Sequence, residues 1–162
     1  MRYMRMGQEA PQRSGVVCVM WCYTERESEF LNTEPPRGEL AVRALAMPCD
    51  TNPSGDIFGG WIMSMMDSAG AITATQRAEG RVVTASVSNI SFLRPVKVGD
   101  VVCCYTDVIS TGRTSIRLAV EVWVLRQARG SRVKVTAAEF TFVRLDKDGR
   151  PRPIGQSRSL AA

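Results

Sequence analysis

Histidine is absent from the 162 residues, and this absence narrows the chemistry more than any other feature. It removes Ser-His-Asp and Cys-His arrangements and the common zinc sites. Acid–base work must then fall to carboxylates, tyrosine, lysine or a thiol. Long apolar runs are also missing. The longest, residues 16–22, is far short of the roughly 20 residues that span a bilayer. The acidic stretch 24–34 that follows shows no small-residue cleavage site, which argues against a signal peptide. Cysteine is scarce and odd in number, with five in the chain. Cys103 and Cys104 are neighbours in an expected strand, so they point to opposite faces and make a poor disulfide. Cys18 and Cys22 have no second pair to complete a zinc site. Free thiols in a reducing cytoplasm are expected, with no metal and no membrane association.

What is present is ordinary for a soluble globular chain: 44% apolar residues and 23% charged, enough for one domain with a real core. The formal net charge of +5 arises from residues after about position 40. By charge alone, such a surface suits a polyphosphorylated small molecule or a nucleic acid. The interleaving of aromatic and basic residues typical of RNA binding is lacking, so nucleic acid is not an expected partner.

Residues 1–38 show no sustained period and end in a Pro-Pro pair followed by Gly38. A disordered or loosely packed extension is expected there, with a short strand possible at 16–23. Residues 39–47 alternate weakly as a first strand, stopped by Pro48. A turn-rich loop leads through Gly59-Gly60 into a helix that reaches Glu79, with Gly80 as its stop. Phe58, Ile62, Met65, Met66, Ala69 and Ile72 fall on one helical face. Ala69-Gly70-Ala71 is small enough to let the helix lie close against a sheet. Nearly all its faces are apolar or small, so a buried helix is expected.

From Val82 the period becomes two. Strands are expected at 82–93, 101–110, 115–126 and 134–145, separated by tight turns, the one at 127–132 basic. In the third of these, Ile116, Leu118, Val120, Val122 and Val124 face one way, with Arg117, Glu121 and Trp123 on the other side. The folded domain is expected over 39–153, followed by a flexible tail at 154–162. One strand, one long helix and four antiparallel strands make an α+β fold in which a curved sheet wraps a central helix. Such a sheet would have one open edge and would favour pairing between subunits.

Within this frame Asp67 stands out, because an unpaired carboxylate among Met65, Met66 and Ala69 would cost several kcal/mol, roughly, in desolvation. It faces either a reacting group or a polar seam. Gly59 and Gly60 leave unobstructed N–H groups at the positive end of the helix, where an oxyanion can bind; a tight join needing glycine accounts for them equally well. Asn52 can orient a water or a carbonyl, or simply make a turn. Asp56 is expected to cap the helix, with a place in the site as the other reading. Arg94, Arg113, Arg129, Arg132 and Lys134 lie at strand ends and turns, where they could grip phosphates.

Arg43-Ala-Leu-Ala-Met-Pro48, Asp50-Thr-Asn52, Gly55-Asp-Ile-Phe-Gly-Gly-Trp61, Met66-Asp67 and Gly80-Arg-Val-Val83 together resemble the YciA-type acyl-CoA thioesterases of the hotdog fold. Phe92-Leu-Arg-Pro95, Val98-Gly-Asp-Val-Val-Cys-Cys-Tyr105 and Glu121-Val-Trp-Val124 continue the resemblance, which covers about residues 40–153. It implies hydrolysis of acyl-CoA to free acid and CoA without metal or covalent cofactor. Asp67 would be the catalytic carboxylate and Asn52 its helper from the opposite subunit of a homodimer. Gly59 and Gly60 would polarise the thioester carbonyl, with Asp56 and Phe58 beside them at the substrate. Arg94, Arg113 and Ser115 would contact CoA. A hexamer built as a trimer of dimers is the implied assembly. Cys49 and Met65 depart from the family, where Ser and Gln are frequent. Dehydratases of the same fold use a histidine, which this chain lacks. A non-catalytic acyl-CoA sensor is the remaining alternative, and an assay for thiol release separates it from an enzyme.

Overall fold

The computed structural model describes residues 35–126 and 132–155. Expectations for residues 1–34, for 127–131 with Arg129, and for 156–162 lie outside the described residues. Strand β1 (Glu39–Leu45) is followed by a short 3-10 turn (Pro48–Asp50) and helix α1 (Gly59–Ala78). Four strands complete the chain: β2 (Val82–Phe92), β3 (Val101–Thr111), β4 (Ser115–Leu125) and β5 (Arg132–Arg144). The sheet is antiparallel throughout, in the order β1-β3-β4-β5-β2. This is the single helix against a five-stranded sheet that the sequence pattern and the hotdog resemblance implied. No helix among the described residues is long and apolar enough to cross a membrane.

Strand β4 sits at the centre and its alternation is realised in full. Ile116, Leu118, Val120, Val122 and Val124 all enter the core beneath α1, as period-two patterning requires. The other face of β4 is buried as well: Trp123 joins Cys103 and Tyr105 in a second, smaller cluster. Cys104 belongs to the main core and Cys103 to the second cluster, so the adjacent thiols do point apart. Burial, and after it the neighbouring Cys103, pushes the Cys104 thiol up to about 12, which leaves it protonated and inert.

Glu121 anchors that second cluster. Its carboxylate accepts hydrogen bonds from Lys134 Nζ (2.7 Å) and Trp123 Nε1 (2.9 Å) and from the Arg37 N–H (3.3 Å). Burial pushes its carboxyl up, but the hydrogen bonds from Lys134, Trp123 and Arg37 and the Lys134 charge outweigh it and hold the group below its ordinary range.

Helix α1 buries one face only. Ile62, Met66, Ala69, Gly70, Ala74 and Ala78 are enclosed, at the three- and four-residue spacing of a single helical stripe. The expected burial on all sides is not met in the single chain: Phe58 is 53% exposed and Ile72 44%. Gly70 makes the close approach possible. A Cβ there would stand 2.7 Å from the Phe142 ring, so the helix rests on that ring where any other residue would hold it off. Glu79 ends the helix in the left-handed conformation (φ 50°), where Gly80 was expected to do so. Gly80 is instead crowded by Arg144, whose Nε would lie 3.1 Å from an added Cβ.

Among the described residues the sheet has two free edges, β1 and β2, not the expected one. Because α1 carries the chain from β1 to β2, it crosses the whole sheet and cannot close it. Most of β2 is exposed, including Val83 and Val87.

Gly70→Ala is expected to lower stability by about 1–3 kcal/mol through overpacking against Phe142, measured by denaturant unfolding. The lowered pKa of Glu121 sets the sign of a second effect. Its stabilisation is fully present above the ordinary carboxylate range and is lost as pH falls through the lowered folded value. The gap in unfolding midpoint between the wild type and Glu121→Gln should therefore be widest near neutral pH. It should shrink below about pH 4.

Candidate active site

The loop before α1 is held from the side by the β2–β3 connection. Asp100, only 2% exposed, pairs with Arg126 and accepts the Lys97 N–H at 2.9 Å, while Arg126 Nη2 donates to the Pro95 carbonyl at 2.9 Å. This buried clip fixes residues 95–100. The Val96 carbonyl then accepts the Ile57 N–H (2.9 Å), and the Asp50 carbonyl accepts the Phe58 N–H (2.9 Å).

Inside the loop, Asn52 makes the turn. Its Oδ1 accepts the N–H groups of Ser54 (2.9 Å) and Asp56 (3.1 Å), and its own N–H donates to the Asp56 carbonyl (2.7 Å). The side-chain oxygen is thus fully committed, and the amide nitrogen has no hydrogen-bond partner among the described residues. Asp56 does not cap α1 as expected. Its carboxylate pairs with Lys97 and ties the loop to the β2–β3 connection a second time. The N-cap residue is Phe58, which makes no side-chain cap, and no acidic residue occupies the first turn.

The first intrahelical bond runs from the Ile62 N–H to the Phe58 carbonyl (3.2 Å). The N–H groups of Gly59, Gly60 and Trp61 therefore lack helical acceptors. A Cβ at Gly60 would meet nothing within 4 Å, so space is open at this positive helix end.

Asp67 lies two turns further on and is half-buried in the single chain, less enclosed than its apolar neighbours suggested. Thr84 on β2 donates Oγ1–H to its Oδ1 at 2.5 Å. The nearby serines do not compete: Ser64 donates to the Trp61 carbonyl and Ser68 to the Ser64 carbonyl. One carboxylate oxygen is therefore fixed and the other is available.

No hydrogen bond joins Asn52 to Asp67 within the chain. Arg94 is half-buried and donates Nη1–H to the Lys134 carbonyl (2.9 Å). Arg113 lies in the β3–β4 turn and Ser115 opens β4. Phe58 stands exposed at the helix start, and a Cβ added at Gly59 would lie 3.4 Å from the Phe92 ring. Among the described residues, no group of three His, Cys, Asp or Glu side chains is placed to hold a metal ion. Sequence reasoning missed Thr84. Its signal was weak: a β-branched hydroxyl two residues into a strand, with nothing local to indicate a partner on the helix.

Residues 54–131 match the thioesterase superfamily. The acyl-CoA thioester hydrolase YciA of Salmonella typhimurium is 57% identical over 122 residues, which cover 74% of this chain and 92% of that protein. A hexameric thioesterase from Yersinia pestis superposes with a TM-score of 0.72 at 53% identity, covering 76% of this chain and 100% of the other. A hexameric hotdog-fold thioesterase of Campylobacter jejuni gives 0.69 at 45%, covering 73% and 91%. At this identity and coverage, with the single helix laid across a five-stranded sheet, the chain belongs to the YciA-type acyl-CoA thioester hydrolases of the hotdog thioesterase superfamily.

Proposed function

We propose that the chain hydrolyses acyl-CoA thioesters with Asp67 as the catalytic carboxylate. The observation that carries this reading is the Asp67 side chain held by Thr84 on the flank of α1, with one oxygen left to act. As general base, that oxygen takes a proton from water while the hydroxide adds to the thioester carbonyl. The C–S bond then breaks, and the CoA thiolate recovers the proton from Asp67. As nucleophile, the same oxygen adds to the carbonyl and expels the CoA thiolate to leave an acyl-Asp67 anhydride, which water cleaves to the free acid and the restored carboxylate, releasing the proton that the thiolate takes up. The first-turn N–H groups at Gly59 and Gly60 receive the developing oxyanion, with Asp56 and Phe58 shaping the approach. CoA enters as part of the substrate, and no cofactor takes part.

The free N–H₂ of Asn52 acts on the site of the partner subunit. Two features support this. No hydrogen bond joins Asn52 to Asp67 within one chain, and exposed apolar residues at the start of α1, on α1 and on β2, among them Phe58, Met63, Val83, Val87 and Phe92, offer a surface that a second copy would cover. Solved relatives are hexamers, and a trimer of such dimers is the assembly proposed.

Asp67→Ala should reduce thiol release from acyl-CoA by at least about 100-fold with the fold intact, and Asn52→Ala should also slow it severely. Mixed oligomers of the two variants should regain activity, because each mixed dimer holds one complete site. No regain would rule out sharing, and near-normal turnover by Asp67→Ala would rule out the mechanism. Thr84→Val should lower kcat about tenfold with KM little changed, as expected for loss of one hydrogen bond to a charged group.

A further inference from the structure

The face of the sheet turned away from α1 is aromatic and basic. Cys103, Tyr105 and Trp123 cluster there, although no helix or second sheet among the described residues lies on that side. Strand register extends the cluster sideways. Arg43 on β1 stands opposite Cys103, Cys103 opposite Trp123, and Trp123 opposite Lys134 on β5, so the four side chains form one row across the sheet. Leu40 stands opposite Tyr105 and is 42% exposed. Cations ring this apolar surface. Arg132 lies 5.7 Å over the Tyr105 ring, Lys134 lies 6.0 Å over the Trp123 ring, and Arg43 is exposed.

The chain enters the fold over this same face. The Arg37 N–H donates to Glu121 Oε2 (3.3 Å), the oxygen that also accepts Trp123 Nε1–H, and the Arg37 guanidinium pairs with Asp107 (3.0 Å). Gly38 then turns into β1 with φ 76°, so close to β3 that an added Cβ would collide with the Thr106 carbonyl. The backbone before Arg37 is thereby delivered onto the aromatic cluster. Three residues span at most about 11 Å, so covalent reach alone keeps residue 34 within that distance of Arg37. Residues 24–34 hold four glutamates, one arginine and the apolar pair Phe30-Leu31. Their net charge is opposite to that of the rim formed by Arg43, Arg132 and Lys134. Strands lie about 4.8 Å apart, so a segment of this length reaches across β3, β4 and β5.

We propose that residues 24–34 fold back across this outer face, with Phe30 and Leu31 against Leu40 and the edge of the Tyr105–Trp123 cluster and the glutamates facing Arg43 and Arg132. Charge favours this segment over a second copy of the same face, which would set Arg43, Arg132 and Lys134 against their own counterparts. Tethering favours it as well, because a segment joined directly to the face acts at an effective concentration in the millimolar range. Docked there, it shields Leu40 beside the open edge of β1, where another chain could otherwise pair. The docking is independent of the chemistry proposed at Asp67.

The test is hydrogen–deuterium exchange on the full chain, read in peptides from 24–34. In the wild type these amides should exchange at least about tenfold more slowly than in the free peptide. Arg43→Glu with Arg132→Glu should remove the protection, and adding Glu25→Lys, Glu27→Lys and Glu29→Lys should restore it. Phe30→Ser with Leu31→Ser is a second arm that leaves every residue of the sheet untouched, and it should also remove the protection. No protection in the wild type, protection that survives either set of substitutions, or no recovery in the charge-swapped chain would overturn the proposal. So would sedimentation showing that Arg43→Glu with Arg132→Glu breaks the oligomer while exchange in 24–34 stays slow, which would assign the face to a second copy.

Discussion

The contact between Gly70 and the Phe142 ring governs the geometry of this molecule. It sets how closely α1 lies on the sheet, because a side chain at position 70 would occupy the place of the ring. Phe142 is also the register partner of Thr84 across β5 and β2, so the two side chains project from the same face of the sheet. Asp67 lies one helical turn before Gly70. The approach that packs the core therefore brings Asp67 within reach of Thr84, and site and core share one row of the structure. A helix held further out would keep its apolar stripe and lose the hydrogen bond to its carboxylate.

The other side of α1 explains why a single chain is not the functional unit proposed for it. The stripe from Ile62 to Ala78 satisfies the sheet, while Met63 and Ile72 on the helix and Val83 and Val87 on β2 stay exposed. The loop carrying Asn52 has the same character. Its internal hydrogen bonds use the oxygen of the Asn52 amide, and its nitrogen has no partner among the described residues.

Charge divides along similar lines. Asp100 with Arg126 and Glu121 with Lys134 pair a buried carboxylate with a partly exposed cation, where leaving the carboxylate alone would be costly. The Asp56–Lys97 pair secures the loop before α1. The basic excess of the composition is partly consumed in such roles, and Arg77 and Arg113 line one cleft at the end of α1.

The sequence alone determined what depends on near neighbours. Alternation fixed the strands and the inward face of β4, helical spacing fixed the extent of α1, and the lack of histidine left Asp67 as the outstanding catalytic candidate. These are properties of residues two to four positions apart. Tertiary structure decided everything that depends on how the elements dock. It gave Asp67 a partner in Thr84, moved Asp56 from capping to an ion pair with Lys97, left α1 bare on one side and the sheet open at two edges. It also placed the left-handed residue that ends α1 at Glu79 and packed the Arg144 side chain against Gly80. The physical reason is common to all of these. Each partner lies on another element, and no local period encodes how closely a helix will settle on the sheet beneath it.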